Sequence, residues 1–268
     1  ALGVVPVGVS EANWGVSDGS GLLPWAKERI EELGGETVVF KDTDGFDYEA
    51  INELLPDVIL AAASGITAEE YETLSRIAPT IPYPGLAWQT SWRDQVLVNS
   101  KAMGMEEEGK QLVSDTDALI AEKVAQYPEL QGKTAAFAWI DAANLSVIYI
   151  YTPTDTRPAF LQDLGLATPE NVRKLAESSD EFYITISSEN ADLFSDVDIL
   201  VTYELSEDSL AAMQADPLLG QVPAIKNGSI VAIPENALSA AISPSILSIP
   251  WALDEYLALL AEAANKVS

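Results

Sequence analysis

The stretch INELLPDVILAAASGITAEEYETLSRIAPTIPY, residues 51–83, decides the fold. It opens on the end of a helix, breaks at Pro56 and runs into Val58, Ile59 and Leu60. Pro56-Asp57 on one side and a run of small residues on the other bound this short apolar segment. Such a segment reads as a strand buried in the middle of a parallel sheet. A loop, a helix over residues 69–77 and a second short strand over residues 80–83 follow.

The same alternation extends in both directions. Toward the N-terminus, residues 4–9 read as a strand, NWGVSDGSGLLPW as a loop, residues 26–33 as a helix stopped by Gly34-Gly35, and residues 37–40 as a strand. Residues 47–55 read as a helix stopped by Pro56. Leu2-Gly3 reads as a helix end with Gly3 as its cap, so a further strand and helix, and any export segment, are expected upstream. Strands alternating with helices indicate an open parallel sheet.

From Ser91 the pattern changes. Residues 92–103 read as a helix closed by Gly104. Residues 106–126 then carry Leu112, Leu119, Ile120 and Val124 at helical spacing. A helix of that length spans roughly 31 Å at 1.5 Å per residue. Gly132-Lys133 restarts the alternation, with strands over 134–140, 183–186, 199–202 and 229–233 and helices over 157–164, 189–194 and 209–216. The chain finishes in a Pro-opened amphipathic helix.

Composition narrows the function. A net charge of −28 excludes a basic phosphate-binding face, so nucleic acid is not a partner. It also disfavours attachment to an anionic membrane by charge alone. No apolar run approaches the roughly 20 residues of a membrane-spanning helix. The absence of Cys removes disulfides and thiolate sites. The absence of His removes Ser-His-Asp catalysis and His-based zinc sites, and leaves haem only a Tyr ligand.

Several local signals fail on spacing. GKT at residues 132–134 would need its first P-loop Gly at Tyr127, and a helix rather than a strand precedes it. GVSDGSG has its glycines in the wrong order for a dinucleotide fingerprint. DTDGFDYE, residues 42–49, resembles a calcium loop with Glu53 at the last ligand position, but Asp47 stands where the turn needs Gly. No GxSxG elbow occurs.

The order and spacing of LGVVPVGV, LLPDVIL, LSRIAPTI, WRDQ, MGMEEEGKQLV, QGKTAAF, LQDLGL, SDVDILV and VPAIKNGSIVAI resemble the class III solute-binding proteins. These are receptors that deliver ferric siderophores, haem or cobalamin to ABC importers. AWQTSWRDQ and SPSILSIPWALD look closest to siderophore receptors of Gram-positive bacteria. The resemblance implies an α/β fold: two Rossmann-like lobes with parallel sheets, joined by a long spine helix. Residues 1–90 would form the N-terminal lobe, 91–127 a helix and the spine, 128–250 the C-terminal lobe and 251–268 a terminal helix. It further implies a monomeric, extracytoplasmic, non-enzymatic receptor, with no cofactor beyond iron carried inside a siderophore. A cell-surface lipoprotein is favoured over a periplasmic protein, the lipid anchor lying upstream of the sequence. The partners implied are a ferric siderophore and a permease dimer. A cobalamin or haem receptor of the same fold is the first alternative. A two-domain α/β enzyme, such as a metal-dependent hydrolase, is the second.

In that family the cargo lies between the lobes against aromatic and Arg side chains. Open α/β sheets bind ligands at the carboxyl ends of their strands. By that rule the N-terminal half offers Trp14, Trp25, Tyr83, Trp88, Trp92 and Arg93, and the C-terminal half offers Trp139, Tyr149, Tyr151, Arg157 and Tyr203. Structural readings stand beside these: Trp25 as a core plug, Trp92 as a helix staple, Arg93 as a surface ion pair with Asp94, and Trp251 as core. With five Arg in the chain, a neutral hydroxamate chelate is favoured over a trianionic catecholate. For permease docking, the family's use of one Glu per lobe points to Glu69, Glu70 or Glu72 and to Glu207 or Asp208.

Overall fold

The computed structural model describes residues 1–141, 143–177 and 179–267; residue 268 of the expected terminal helix lies outside them. The chain folds as two compact units. Unit 1 comprises Ala1–Asp117 with Ser245–Trp251, and unit 2 comprises Ala118–Pro244 with the residues from Ala252 onward.

Unit 1 runs β1 (Gly8–Ser10), α1 (Pro24–Glu32), β2 (Val38–Phe40), α2 (Tyr48–Glu53), β3 (Ile59–Ala61), α3 (Ala68–Leu74), β4 (Thr80–Pro82), α4 (Trp92–Ala102) and the first part of α5 (Glu106–Val124). Strands β1 and β2 pair in parallel, as do β3 and β4. The strand expected over residues 4–9 is shorter and later, with Val4 and Val7 exposed. Helix starts follow the capping chemistry. Thr67 and Glu70 form a reciprocal capping box on α3, and the Ser91 hydroxyl accepts from the Asp94 amide at the start of α4. A small core gathers Ala61, Ile66 and Leu74 under Phe46, Tyr48 and Tyr83.

Unit 2 continues with the rest of α5, then β5 (Ala135–Ile140), β6 (Val147–Tyr151), α6 (Thr156–Asp163), α7 (Glu170–Ala176), β7 (Tyr183–Ser187), β8 (Ile199–Tyr203), α8 (Glu207–Ala215), α9 (Pro223–Asn227), β9 (Ile230–Ile233), α10 (Ala237–Ala241) and most of α11 (Ser248–Ala264). Its sheet has the order β7-β6-β5-β8-β9. Strands β5, β8 and β9 are parallel as expected. Strand β6 pairs antiparallel with both β5 and β7 and so runs against the other four strands, which corrects the all-parallel expectation. Only residues 141–146 connect β5 to β6, too few for the crossover that a parallel neighbour needs. The start of β5 is braced by Thr134, whose amide donates to Asp198 at 2.8 Å and whose hydroxyl donates to the Asp196 carbonyl at 2.6 Å.

Strand periodicity then sorts the side chains of this sheet. Ala136, Ala138, Ile148, Ile150 and Ile186 project to one face and build the hydrophobic core with Leu200. Each large aliphatic side chain so buried contributes roughly 1.5–3 kcal/mol. The odd-numbered residues project to the other face, and on β5, β6 and β7 these include five aromatic side chains.

Candidate functional site

On β5, β6 and β7 the odd positions include Phe137, Trp139, Tyr149, Tyr151 and Tyr183, alongside Ala135, Val147, Thr185 and Ser187. Register places Trp139 beside Tyr149, and Tyr151 beside Tyr183. Ring centroids lie 5.0 Å apart for Trp139 and Tyr149, 6.0 Å for Tyr149 and Tyr183, and 6.4 Å for Tyr151 and Tyr183. Trp139 and Tyr183 are 40% and 38% exposed while Phe137 is buried, so part of this face presents aromatic surface to solvent. Tyr149 and Tyr151 were expected in a loop. They lie in a strand instead, because VIYIY alternates with period two and pairs on both sides.

Arg157 stands at one end of this face. Its guanidinium lies 3.9 Å from the Tyr151 ring centroid and 5.5 Å from that of Phe137. Nε donates to one oxygen of Asp155 at 2.8 Å and Nη2 to the other at 2.7 Å, while Nη1 donates to the Tyr203 hydroxyl at 2.9 Å. Phe137 closes the base, edge-on to both Tyr151 and Tyr203 at 5.2 Å. Asp155 also caps α6, accepting from the Arg157 amide at 2.9 Å. The two side chains are 16% and 4% exposed. Burial opposes the charge on Arg157, but the hydrogen bonds and charge of Asp155 outweigh it and hold the guanidinium firmly cationic. These bonds use only part of the guanidinium's donor set, so each terminal nitrogen keeps one further N–H.

Tyr203 therefore positions Arg157, and burial raises its phenol above the ordinary tyrosine range despite the opposing guanidinium. Behind it lies Tyr256, fully buried, stacked on Phe160 at 6.5 Å, its hydroxyl lacking a hydrogen-bond partner among the described residues. Burial raises that phenol as well, and more strongly. A folded-state pKa above the unfolded value near 10.0 means that this stability is complete below pH 10 and is lost as pH rises further. Replacing Tyr256 by Phe is accordingly expected to leave stability unchanged, or to raise it by up to about 1 kcal/mol at neutral pH. It should also delay alkaline unfolding. Urea melts at pH 7 and 10.5 check both, and a large loss at pH 7 would show that the hydroxyl has a partner.

Unit 1 sorts its candidates differently. Trp88 is 60% exposed and adopts φ 64°, a left-handed conformation costing a bulky residue about 1–3 kcal/mol. Its amide donates to the Ser64 carbonyl at 3.0 Å. Its indole lies so close over Gly65 that a Cβ there would collide with it. Trp14 is also exposed, in the loop after β1.

The other four make packing or ion-pair contacts within the unit. Trp25, in the first turn of α1, is buried against Trp251 at 5.2 Å. Trp251, expected in the core, keeps part of its surface exposed. Trp92 is 2% exposed, because the first turn of α4 points it inward. Tyr83 packs on the small core and donates to the Ile66 carbonyl at 3.3 Å. Arg93 stacks over Trp92 at 4.4 Å and donates through Nε and Nη2 to Asp117, at 3.0 and 2.6 Å. Asp94, its expected partner, bonds Ser91 instead.

Sequence reasoning missed Asp155, Phe137 and Tyr183. Two signals were present: the period-two alternation of AFAWI, VIYIY and YITIS, and an Asp set two residues before Arg at a helix start. Of the acidic candidates, Glu69, Glu72, Glu207 and Asp208 are exposed, whereas Glu70 is engaged with the Thr67 amide at 2.7 Å. Among the described residues, no cluster of side chains is arranged to hold a metal ion, and no helix is long and apolar enough to cross a membrane.

A two-unit α/β chain presenting an aromatic sheet face and a clamped guanidinium has the make-up of a ligand receptor rather than a catalyst. The chain belongs to the periplasmic binding protein family, whose model matches residues 1–237. Its relatives are binding proteins, not enzymes. The crystal structure of PiaA from Streptococcus pneumoniae TIGR4 in complex with ferrichrome is similar, with a TM-score of 0.94 and 45% identity over 100% of this chain and 89% of that one. "Probable siderophore-binding lipoprotein YfiY" of Bacillus subtilis (strain 168) is 26% identical over 212 residues, 78% of this chain. That match spans 60% of the Bacillus protein, less than two thirds of its length. The ferric enterobactin-binding periplasmic protein FepB of Escherichia coli O6:H1 is 25% identical over 239 residues, 86% of this chain and 72% of FepB.

Proposed function

We propose that this protein is an extracytoplasmic receptor that captures a ferric siderophore of the tris-hydroxamate type and passes it to an ABC importer. The observation that carries this reading is the pairing of the Trp139–Tyr149–Tyr151 face with the Arg157 guanidinium. A ferric hydroxamate offers apolar faces, which suit aromatic contact, and carbonyl and hydroxamate oxygens, which suit the remaining N–H donors of Arg157. Similarity to a ferrichrome-binding protein at 45% identity supports the hydroxamate class. Trp88 and Trp14 are the ligand contacts proposed for unit 1, Trp88 because its strained backbone holds an indole out to solvent.

As a receptor the chain acts as a monomer anchored outside the cell, with the lipoprotein form supported by the Bacillus relative. Glu69 or Glu72 on α3 and Glu207 or Asp208 on α8 are proposed to meet basic pockets of the permease dimer. Each group lies in a helix exposed within its own unit.

Titrating the protein with ferrichrome is expected to quench tryptophan fluorescence strongly, saturating at submicromolar chelate, because the iron complex absorbs where exposed indoles emit. Trp139→Phe should remove part of that quenching and weaken binding several-fold, roughly 1 kcal/mol of lost stacking. Absence of quenching by ferrichrome, by a ferric catecholate and by a corrin alike would overturn the receptor reading.

A further inference from the structure

We infer that Asp155 sets the charge preference of this site and makes it a receptor for chelates without net charge; the inference rests on the receptor reading above. The odd face of β5, β6 and β7 carries no ionisable acid or base apart from its tyrosines. The Arg157–Asp155 pair therefore holds the one cation described at the end of that face. Arg157 supplies one cation, and Asp155, holding both Nε and Nη2, supplies one buried anion. Among the described residues, no other carboxylate forms an ion pair with Arg157. Glu181, exposed beside Phe182, adds negative charge only.

The pair thus presents directed N–H donors with its charge already cancelled. A neutral tris-hydroxamate can accept hydrogen bonds from Arg157 without offsetting a net charge. A chelate bearing carboxylates must leave water for a face whose Arg157 is already paired with Asp155, and loses affinity. Discrimination then arises from what the site withholds as much as from what it offers. Asp155 is suited to this because Asn in its place keeps the helix cap while removing the charge.

The test uses the intact chain and three ferric tris-hydroxamates of differing charge: neutral ferrichrome, ferrichrome A with its three carboxylates, and cationic ferrioxamine B. Dissociation constants come from fluorescence quenching at low salt. The wild type is expected to prefer ferrichrome to ferrichrome A. Asp155→Asn should narrow that preference by roughly tenfold, as expected for one unit charge at an effective dielectric near that of a protein surface. Arg157→Gln should shift selectivity the other way, toward ferrioxamine B over ferrichrome A, by a similar factor. The double variant should return to the wild-type ratio.

A ferrichrome to ferrichrome A ratio unchanged within about twofold in Asp155→Asn would overturn the inference while leaving the receptor reading intact. If Asp155→Asn does not fold by circular dichroism, the Arg157→Gln ratio decides, and an unchanged ratio there overturns it equally. Failure of the wild type to bind any of the three would overturn both.

Discussion

Arg157→Ala is expected to be the most damaging single change in unit 2, lowering stability by about 3–5 kcal/mol and weakening chelate binding by about 1.5–3 kcal/mol. The stability loss follows from Asp155, which would be left as a buried carboxylate without its cation. Phe137 and Tyr151 would also lose the guanidinium packed against them at 5.5 and 3.9 Å. Cation–π contacts that are desolvated contribute about 2 kcal/mol. The binding loss follows from the further N–H that each terminal nitrogen keeps. Arg157→Lys sharpens the test, since it keeps the charge but not the two-pronged bond to Asp155. It should recover part of the stability and little of the affinity. Urea denaturation reads the first quantity and a ferrichrome titration the second. Wild-type affinity in a folded Arg157→Lys protein would mean that the guanidinium geometry does not serve the ligand.

Trp92→Ala is expected to have a comparable effect on stability with a different signature. Trp92 is buried at the start of α4, beneath the Arg93 guanidinium. Truncating an aromatic side chain so placed costs about 3–5 kcal/mol through lost burial and the cavity left behind. No ligand contact is lost, so ferrichrome affinity, measured at a temperature where the variant is folded, should stay within about threefold of wild type. A large affinity loss in a variant of near wild-type stability would return Trp92 to the ligand-binding set. The pair of variants separates two roles for aromatic and Arg side chains that occur side by side in this chain.

Much of the fold was legible from punctuation. Pro56, Gly34-Gly35 and Gly104 stop helices, and apolar runs between such stops mark strands, because backbone geometry at Pro and Gly is a local property. Capping residues behave alike: Thr67 and Ser91 each begin a helix through a bond to an amide a few residues on. The antiparallel β6 was less visible. Its alternation was present in VIYIY, but pairing direction depends on which strand lies alongside, and that is a property of distant segments. The limits of the two units, inside α5 and α11, carried no signal either. A continuous helix has the same periodicity on both sides of such a boundary.

For the site, residue type and exposure came from different levels. Trp, Tyr and Arg could be counted in the sequence as the groups able to hold a chelate. Whether an indole faces solvent or the core depends on helix phase and on what packs over it. Trp25 and Trp92 therefore went inward, while Trp88 and Trp139 stayed out.

The sequence by itself determined the class of the molecule: an acidic α/β chain without Cys or His, with strands and helices in the order of a solute receptor. Those conclusions rest on composition, on local backbone preference and on hydrophobic period, all of which act over a few residues. Only the tertiary structure decided that Arg157 is clamped by Asp155, that Tyr203 positions it, and that the odd face of one sheet is the aromatic surface beside it. Each of these joins residues brought together by strand register and burial, and such forces depend on neighbours that no local reading of the chain contains.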